Sequence, residues 1–140
     1  MMLVGGQDEA VAAWAAEQLG VQFVQPLSAI GVLDARGDLV GASVFNDYYR
    51  GGNIEWTYAG ARSLGPDMLR ELARYCFVQL EVSRVTAKTR RSNKLVRRLL
   101  PKAGFTFEMT QKRYFGPTRD DDALVFALFR EDAGKWLRSK

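Results

Sequence analysis

The sequence predicts an α+β fold: an α/β mixed sheet with helices packed on its faces. Three observations carry this. Apolar residues recur at helical spacing in three separate segments. Stretches rich in β-branched and aromatic residues, bounded by Gly, Asp and Asn, lie between and after them. No repeat, low-complexity tract or linker interrupts the pattern. The predicted order is helix, antiparallel meander, helix, strand, helix, C-terminal strand pair, and helices and strands mixed in this way cover a sheet. A chain of 140 residues suits one domain, residues 1–140, with one core.

Each element has its own local reason. A helix starts at Gln7 or Asp8 and runs to about Leu19, with Val11, Trp14, Ala15 and Leu19 on one face; Gly20 stops it. Val21 to Gln25 reads as a short strand or an extended linker. Ala29–Asp34 and Leu39–Asn46 form a hairpin around Asp34-Ala35-Arg36-Gly37-Asp38, with Gly37 supplying the positive φ. After a turn at Arg50-Gly51-Gly52-Asn53, the strand Ile54–Ala59 puts Ile54, Trp56 and Tyr58 on one face and Glu55, Thr57 and Ala59 on the other.

Gly60 to Gly65 is a loop, and Pro66 sits where a missing N–H is harmless, at the first helical position. The helix extends to about Leu80 on a stripe of Leu69, Leu72, Ala73, Cys76, Phe77 and Leu80. Arg84–Lys88 is a strand. Ser92 or Asn93 caps the last helix, which turns Leu95, Val96, Leu99 and Leu100 inward and Lys94, Arg97 and Arg98 outward. Pro101 should end or kink it near Leu100. Phe105–Phe115 and Leu124–Arg130 form the final antiparallel pair.

Composition excludes several chemistries. There is no histidine and a single cysteine, Cys76. That removes Ser-His and Cys-His relays, histidine-ligated metals, cysteine-rich zinc sites and any intrachain disulfide. Asp120-Asp121-Asp122 is the one obvious carboxylate cluster; it reads as a solvated turn, and no metal is expected. No apolar run reaches the roughly 20 residues needed to span a bilayer. No basic, apolar leader opens the chain, so a cytoplasmic location away from membranes is expected. The net charge of +4 suits an anionic ligand or a nucleic acid.

The stretch Arg84 to Phe107, RVTAKTRRSNKLVRRLLPKAGFTF, is the most specific part of the chain. Asn93 opens a short helix eleven residues before Gly104-Phe105. With the element order, this resembles the GNAT acyl-CoA N-acyltransferase family over most of the chain, and looks most like small GNAT-like proteins of phages and prophages. The resemblance implies acetyl-CoA as acyl donor, an amine as acceptor, direct attack of the amine on the thioester, and a homodimer. It also implies that the strand ending Tyr58-Ala59 holds the pantetheine arm through its backbone. The loop Gly60, Arg62, Ser63, Leu64 and Gly65 would hold the pyrophosphate, and Asn93 would touch the cofactor. In the family the loop reads Gln/Arg-x-x-Gly-x-Gly/Ala; here Gly60 and Ser63 depart from it and Gly65 matches. Leu100 stands where many members carry a tyrosine that protonates the CoA thiolate.

Within that resemblance, Glu55 is the candidate base and Tyr114 a candidate proton donor, with Tyr58 as another. Glu55 reads equally as a cross-strand charge partner, and Asn93 as a plain helix cap. Phe45, Tyr48, Tyr49 and Trp56 either line an acceptor pocket or pack in the core. The basic set Lys88, Arg90, Arg91, Lys94, Arg97, Arg98 and Lys102 would meet the 3′-phosphate of CoA, or nucleic-acid phosphates, or simply face solvent. No aromatic residue is interleaved with it, which argues against stacking on single-stranded bases. A fold that binds acyl-CoA without turnover, and a basic nucleic-acid-binding domain, are the alternative functions.

Overall fold

The structure, a computed structural model, describes residues 2–60 and 65–138. Seven strands form a sheet in the order β1-β2-β3-β4-β5-β7-β6. They are β1 (Met2–Val4), β2 (Leu27–Leu33), β3 (Leu39–Asn46), β4 (Asn53–Gly60), β5 (Arg84–Arg90), β6 (Thr106–Gln111) and β7 (Ala123–Phe129). The helices are α1 (Asp8–Leu19), α2 (Pro66–Ala73), α3 (Lys94–Lys102) and α4 (Gly134–Leu137). The chain divides into two compact units.

The first unit carries β1, α1, β2, β3 and β4 from Trp56 onward. Its core packs Val11, Ala12 and Ala15 of α1 against Ala29, Ala42, Val44 and Ala59 of the strands. Small side chains on both sides let the helix lie close to the sheet. Asp8 fixes its start by accepting the Ala29 N–H at 3.0 Å. Gly20 ends it in the left-handed conformation, φ 65°. In the β2–β3 hairpin the Asp34 carboxylate accepts the N–H groups of Arg36 and Asp38, and Gly37 takes φ 85°. Trp56 is buried, and its indole N–H donates to Ser43 Oγ at 2.9 Å.

The second unit holds residues 48–55 and 64–140. Here β7 lies between β5 and β6, antiparallel to both. Pro66 opens α2 as expected. The helix then widens into a π-helical segment, Arg74–Gln79, closed by Leu80 N–H to Tyr75 O and carrying buried Cys76 and Phe77. The Cys76 thiol is 2 % exposed, and burial pushes it up to about 12. Arg130 donates to the Phe77 carbonyl near the end of this segment and to the Val82 carbonyl beyond it.

Several expectations need correction. β1 is an added strand, paired antiparallel with β2; three residues are too few for alternation to register. Of the two readings of Val21–Gln25, the linker is the one observed, since no strand forms there. The helix from Pro66 reaches Gln79 but is α-helical only to Ala73. Pro101 lies inside α3 rather than ending it, because it falls in the last turn, where its missing N–H costs one hydrogen bond. Leu95 points outward, 46 % exposed, while Arg97 is half-buried, its guanidinium donating to Arg91 O. The strand placed at Phe105–Phe115 is only Thr106–Gln111; beyond it Arg113 turns to φ 54° and gives its N–H to Asp122. Gly104, at φ 100°, follows α3 as a C-terminal stop, and Phe105 is buried behind it. The short helix α4 was not anticipated.

Candidate active site

In the second unit Glu55 and Lys88 project from β4 and β5 and form an ion pair at 3.3 Å, each side chain 18 % exposed. The same ammonium lies 4.7 Å from the ring centroid of Tyr114. Two of the three sequence candidates for proton transfer, Glu55 and Tyr114, therefore meet at one cation, and Tyr58 does not. Burial works to lower the pKa of Lys88, but the charges of Glu55 and Tyr114 and hydrogen bonds to both outweigh it and raise it. Lys88 is thus a firmly held positive charge between a carboxylate and a phenol.

The loop bearing Tyr114 is braced by the aspartates. Tyr114 packs edge-on against Phe115 at 5.0 Å, and Arg90 covers the Phe115 ring. Phe115 N–H donates to Asp121 O. Asp121 caps the turn by accepting from the N–H and hydroxyl of Thr118, and it pairs with Arg90 at 3.6 Å. Those Thr118 bonds, with the Arg90 charge, hold its carboxyl below the usual range. Asp122 accepts the Arg113 N–H at 2.8 Å and pairs with Arg91 at 3.3 Å, and its carboxyl is likewise lowered, chiefly by the Arg113 bond. Asp121 and Asp122 thus brace the turn while Asp120 faces solvent, and among the described residues no cluster of potential metal ligands forms.

Asn93 caps α3: its Oδ1 accepts the Val96 N–H at 3.3 Å. Gly65 precedes α2 in extended backbone, with no side chain to cap it. The first N–H groups of such a helix lack internal partners, which suits an anion. Arg62, Ser63 and Leu64 lie outside the described residues.

In the first unit, Tyr58 is buried with its ring 6.3 Å from Trp56, and burial raises its hydroxyl pKa. Ala59 is fully packed in the core, so only its backbone can meet a ligand. Gly60 runs so close to β3 that an added Cβ would stand 3.0 Å from Val40 O and 3.1 Å from Gly41 Cα. A long Gln or Arg has no room to start there. Of the aromatic candidates for an acceptor pocket, Phe45 and Trp56 are core, while Tyr48 and Tyr49 are exposed.

Residues 6–106 match the model of the acetyltransferase (GNAT) domain. The chain belongs to the GNAT acetyltransferase family. Solved GNAT structures share its fold. A mutant form of the spermidine/spermine N-acetyltransferase SpeG from Vibrio cholerae aligns at TM-score 0.75 and 12% identity, covering 98% of this chain and 99% of that one. SpeG in complex with manganese ions aligns at TM-score 0.72 and 14% identity, over 98% and 96% of the two chains. Another SpeG mutant gives TM-score 0.64 and 17% identity, over 81% and 69%. No curated protein matches the sequence.

Sequence reasoning about this GNAT chain missed the centre of the cluster. Lys88 was grouped with the basic set around α3, whereas its ammonium turns to Glu55 and Tyr114. A lysine flanked by Ala87 and Thr89 at an interior position of β5 is the available signal.

Proposed function

We propose that this chain transfers an acetyl group from acetyl-CoA to an amine by direct attack, with Glu55 as base and Tyr114 as acid. The observation that carries this is the convergence of both groups on Lys88. The amine nitrogen attacks the thioester carbonyl carbon, whose π electrons move to oxygen. The tetrahedral intermediate collapses and expels the CoA thiolate. Glu55 takes the proton lost by the amine. Tyr114 gives its phenolic proton to the thiolate, and the Lys88 ammonium stabilises the phenolate that remains. Transfer of the proton from Glu55 back to Tyr114 through solvent completes the cycle. Tyr114 thus takes over the task that Leu100, buried in α3, has no group to perform.

The backbone of β4 and the uncapped start of α2 suit the pantetheine arm and the pyrophosphate. The acceptor is a primary amine, and the likeness to SpeG puts spermidine and spermine first in the panel to be tested. The Glu55–Lys88 ion pair also favours a second reading: a GNAT module that binds acyl-CoA without turnover, its carboxylate committed to the lysine.

The test is acetyl-CoA titration in a thermal melt, followed by CoA release with an amine panel. The expected result is a rise in Tm and turnover that Glu55→Gln and Tyr114→Phe each lower by about 10²-fold or more, the usual worth of a general acid or base. A Tm shift with no CoA release supports the module. No shift at millimolar acetyl-CoA defeats both readings.

A further inference from the structure

Within the second unit, α3 and the strands β6 and β7 enclose an open groove of about 550 Å³. Arg91, Lys94, Arg97 and Arg98 line it, and among the described residues no carboxylate does. Phe107 stands in the groove, 51 % exposed, held edge-on by buried Phe126 at 5.5 Å. Thr110 adds a hydroxyl.

Two of the arginines are held by partners in the chain. Arg97 donates to Arg91 O at 2.8 Å, and Arg91 pairs with Asp122. None of the ion pairs found among the described residues includes Lys94, Arg97 or Arg98. Three cations thus remain without a carboxylate beside an aromatic ring that water half covers. An exposed ring offers a flat face on which a base can stack. The fold has supplied what the linear sequence lacked: Phe107 lies nine residues beyond Arg98, yet shares its groove.

We propose that this groove binds a single-stranded nucleic acid, its phosphates along the α3 cations and a base on Phe107. The inference goes beyond acyl transfer and does not rest on it. Charge complementarity selects a polyanion, and the exposed ring selects one with planar faces rather than an acidic peptide. A duplex hides those faces in its own stack.

The test uses the full chain and a labelled single-stranded RNA of about ten nucleotides, within the range one such groove covers. Anisotropy is read across a salt series. Expected is binding whose log K falls against log salt with a slope of about −2 to −3, since each phosphate contact on a single strand contributes about 0.7. Lys94→Gln with Arg98→Gln should flatten that slope by about 1.4. Phe107→Ala should weaken binding by about tenfold or more at unchanged slope, and Phe107→Trp should restore it. Unaltered melting curves confirm that each variant is folded. The proposal is overturned by absence of binding at low salt or by equal affinity for the duplex. Equally effective displacement by oligoglutamate, or affinity indifferent to residue 107 among Phe, Ala and Trp, also overturns it.

Discussion

Lys88 is held by two partners of different kind, and that has a consequence for pH. Its folded pKa is raised above the ordinary 10.5, against burial, by Glu55 and Tyr114. A cation whose pKa rises on folding contributes stability that is full below the unfolded pKa and is lost as pH climbs through the folded one. Melting temperature should therefore fall more steeply for the wild type than for Lys88→Met above pH 10.5, as thermal melts across the alkaline range will check. Gly41 offers a second prediction. A Cβ there would lie 2.6 Å from the Tyr58 hydroxyl and 3.3 Å from its ring carbon, both on a buried side chain. Gly41→Ala should cost about 1–3 kcal/mol in urea unfolding, the usual range for overpacking.

At the scale of elements, α3 and its cap Asn93 join a capping side chain, a proline and three of the groove's cations in one short stretch, 93–102. Asn93 accepts the Val96 N–H, so Asn93→Ala should lower stability by about 1 kcal/mol and Asn93→Ser should recover most of it. The same variants separate capping from cofactor contact. If Asn93 only caps, KM for acetyl-CoA stays level in Asn93→Ser; if its amide also reaches the cofactor, KM rises in both. Local signals of this kind were readable in advance. Gly20, Gly37, Pro66 and Asn93 each constrain the backbone where they stand, and the elements they bound lie where expected. The π-helical widening after Ala73 was not readable, because its apolar stripe matches an α-helix and only the carbonyl partners differ. The outward turn of Leu95 is hidden for a related reason: periodicity identifies a face, and the packing of α3 on β6 decides which part of that face is covered.

At the scale of the molecule, the family was legible from the order of elements together with Asn93 and Gly104-Phe105, while the candidate site was legible only as separate residues. Glu55, Lys88 and Tyr114 come from three distant parts of the sequence, and strand order, with β7 between β5 and β6, determines which of them become neighbours. Charge counting grouped Lys88 with the wrong partners for the same reason. A ligand that binds only the folded chain stabilises all of it. Acetyl-CoA at a hundredfold excess over its Kd should add about 2.7 kcal/mol, which for a chain of this size is a Tm rise of roughly 5–15 °C. Differential scanning calorimetry checks it.

Cys76 has a practical consequence at this scale. Its thiol is enclosed in the core beside Phe77 and stays protonated at neutral pH. The native chain is therefore silent toward maleimide dyes while folded. A reporter cysteine placed on the surface, at exposed Val78 for instance, becomes a sole attachment point without first deleting a native one. The hidden thiol then serves as an internal alarm, because a second label appears only in molecules that have opened.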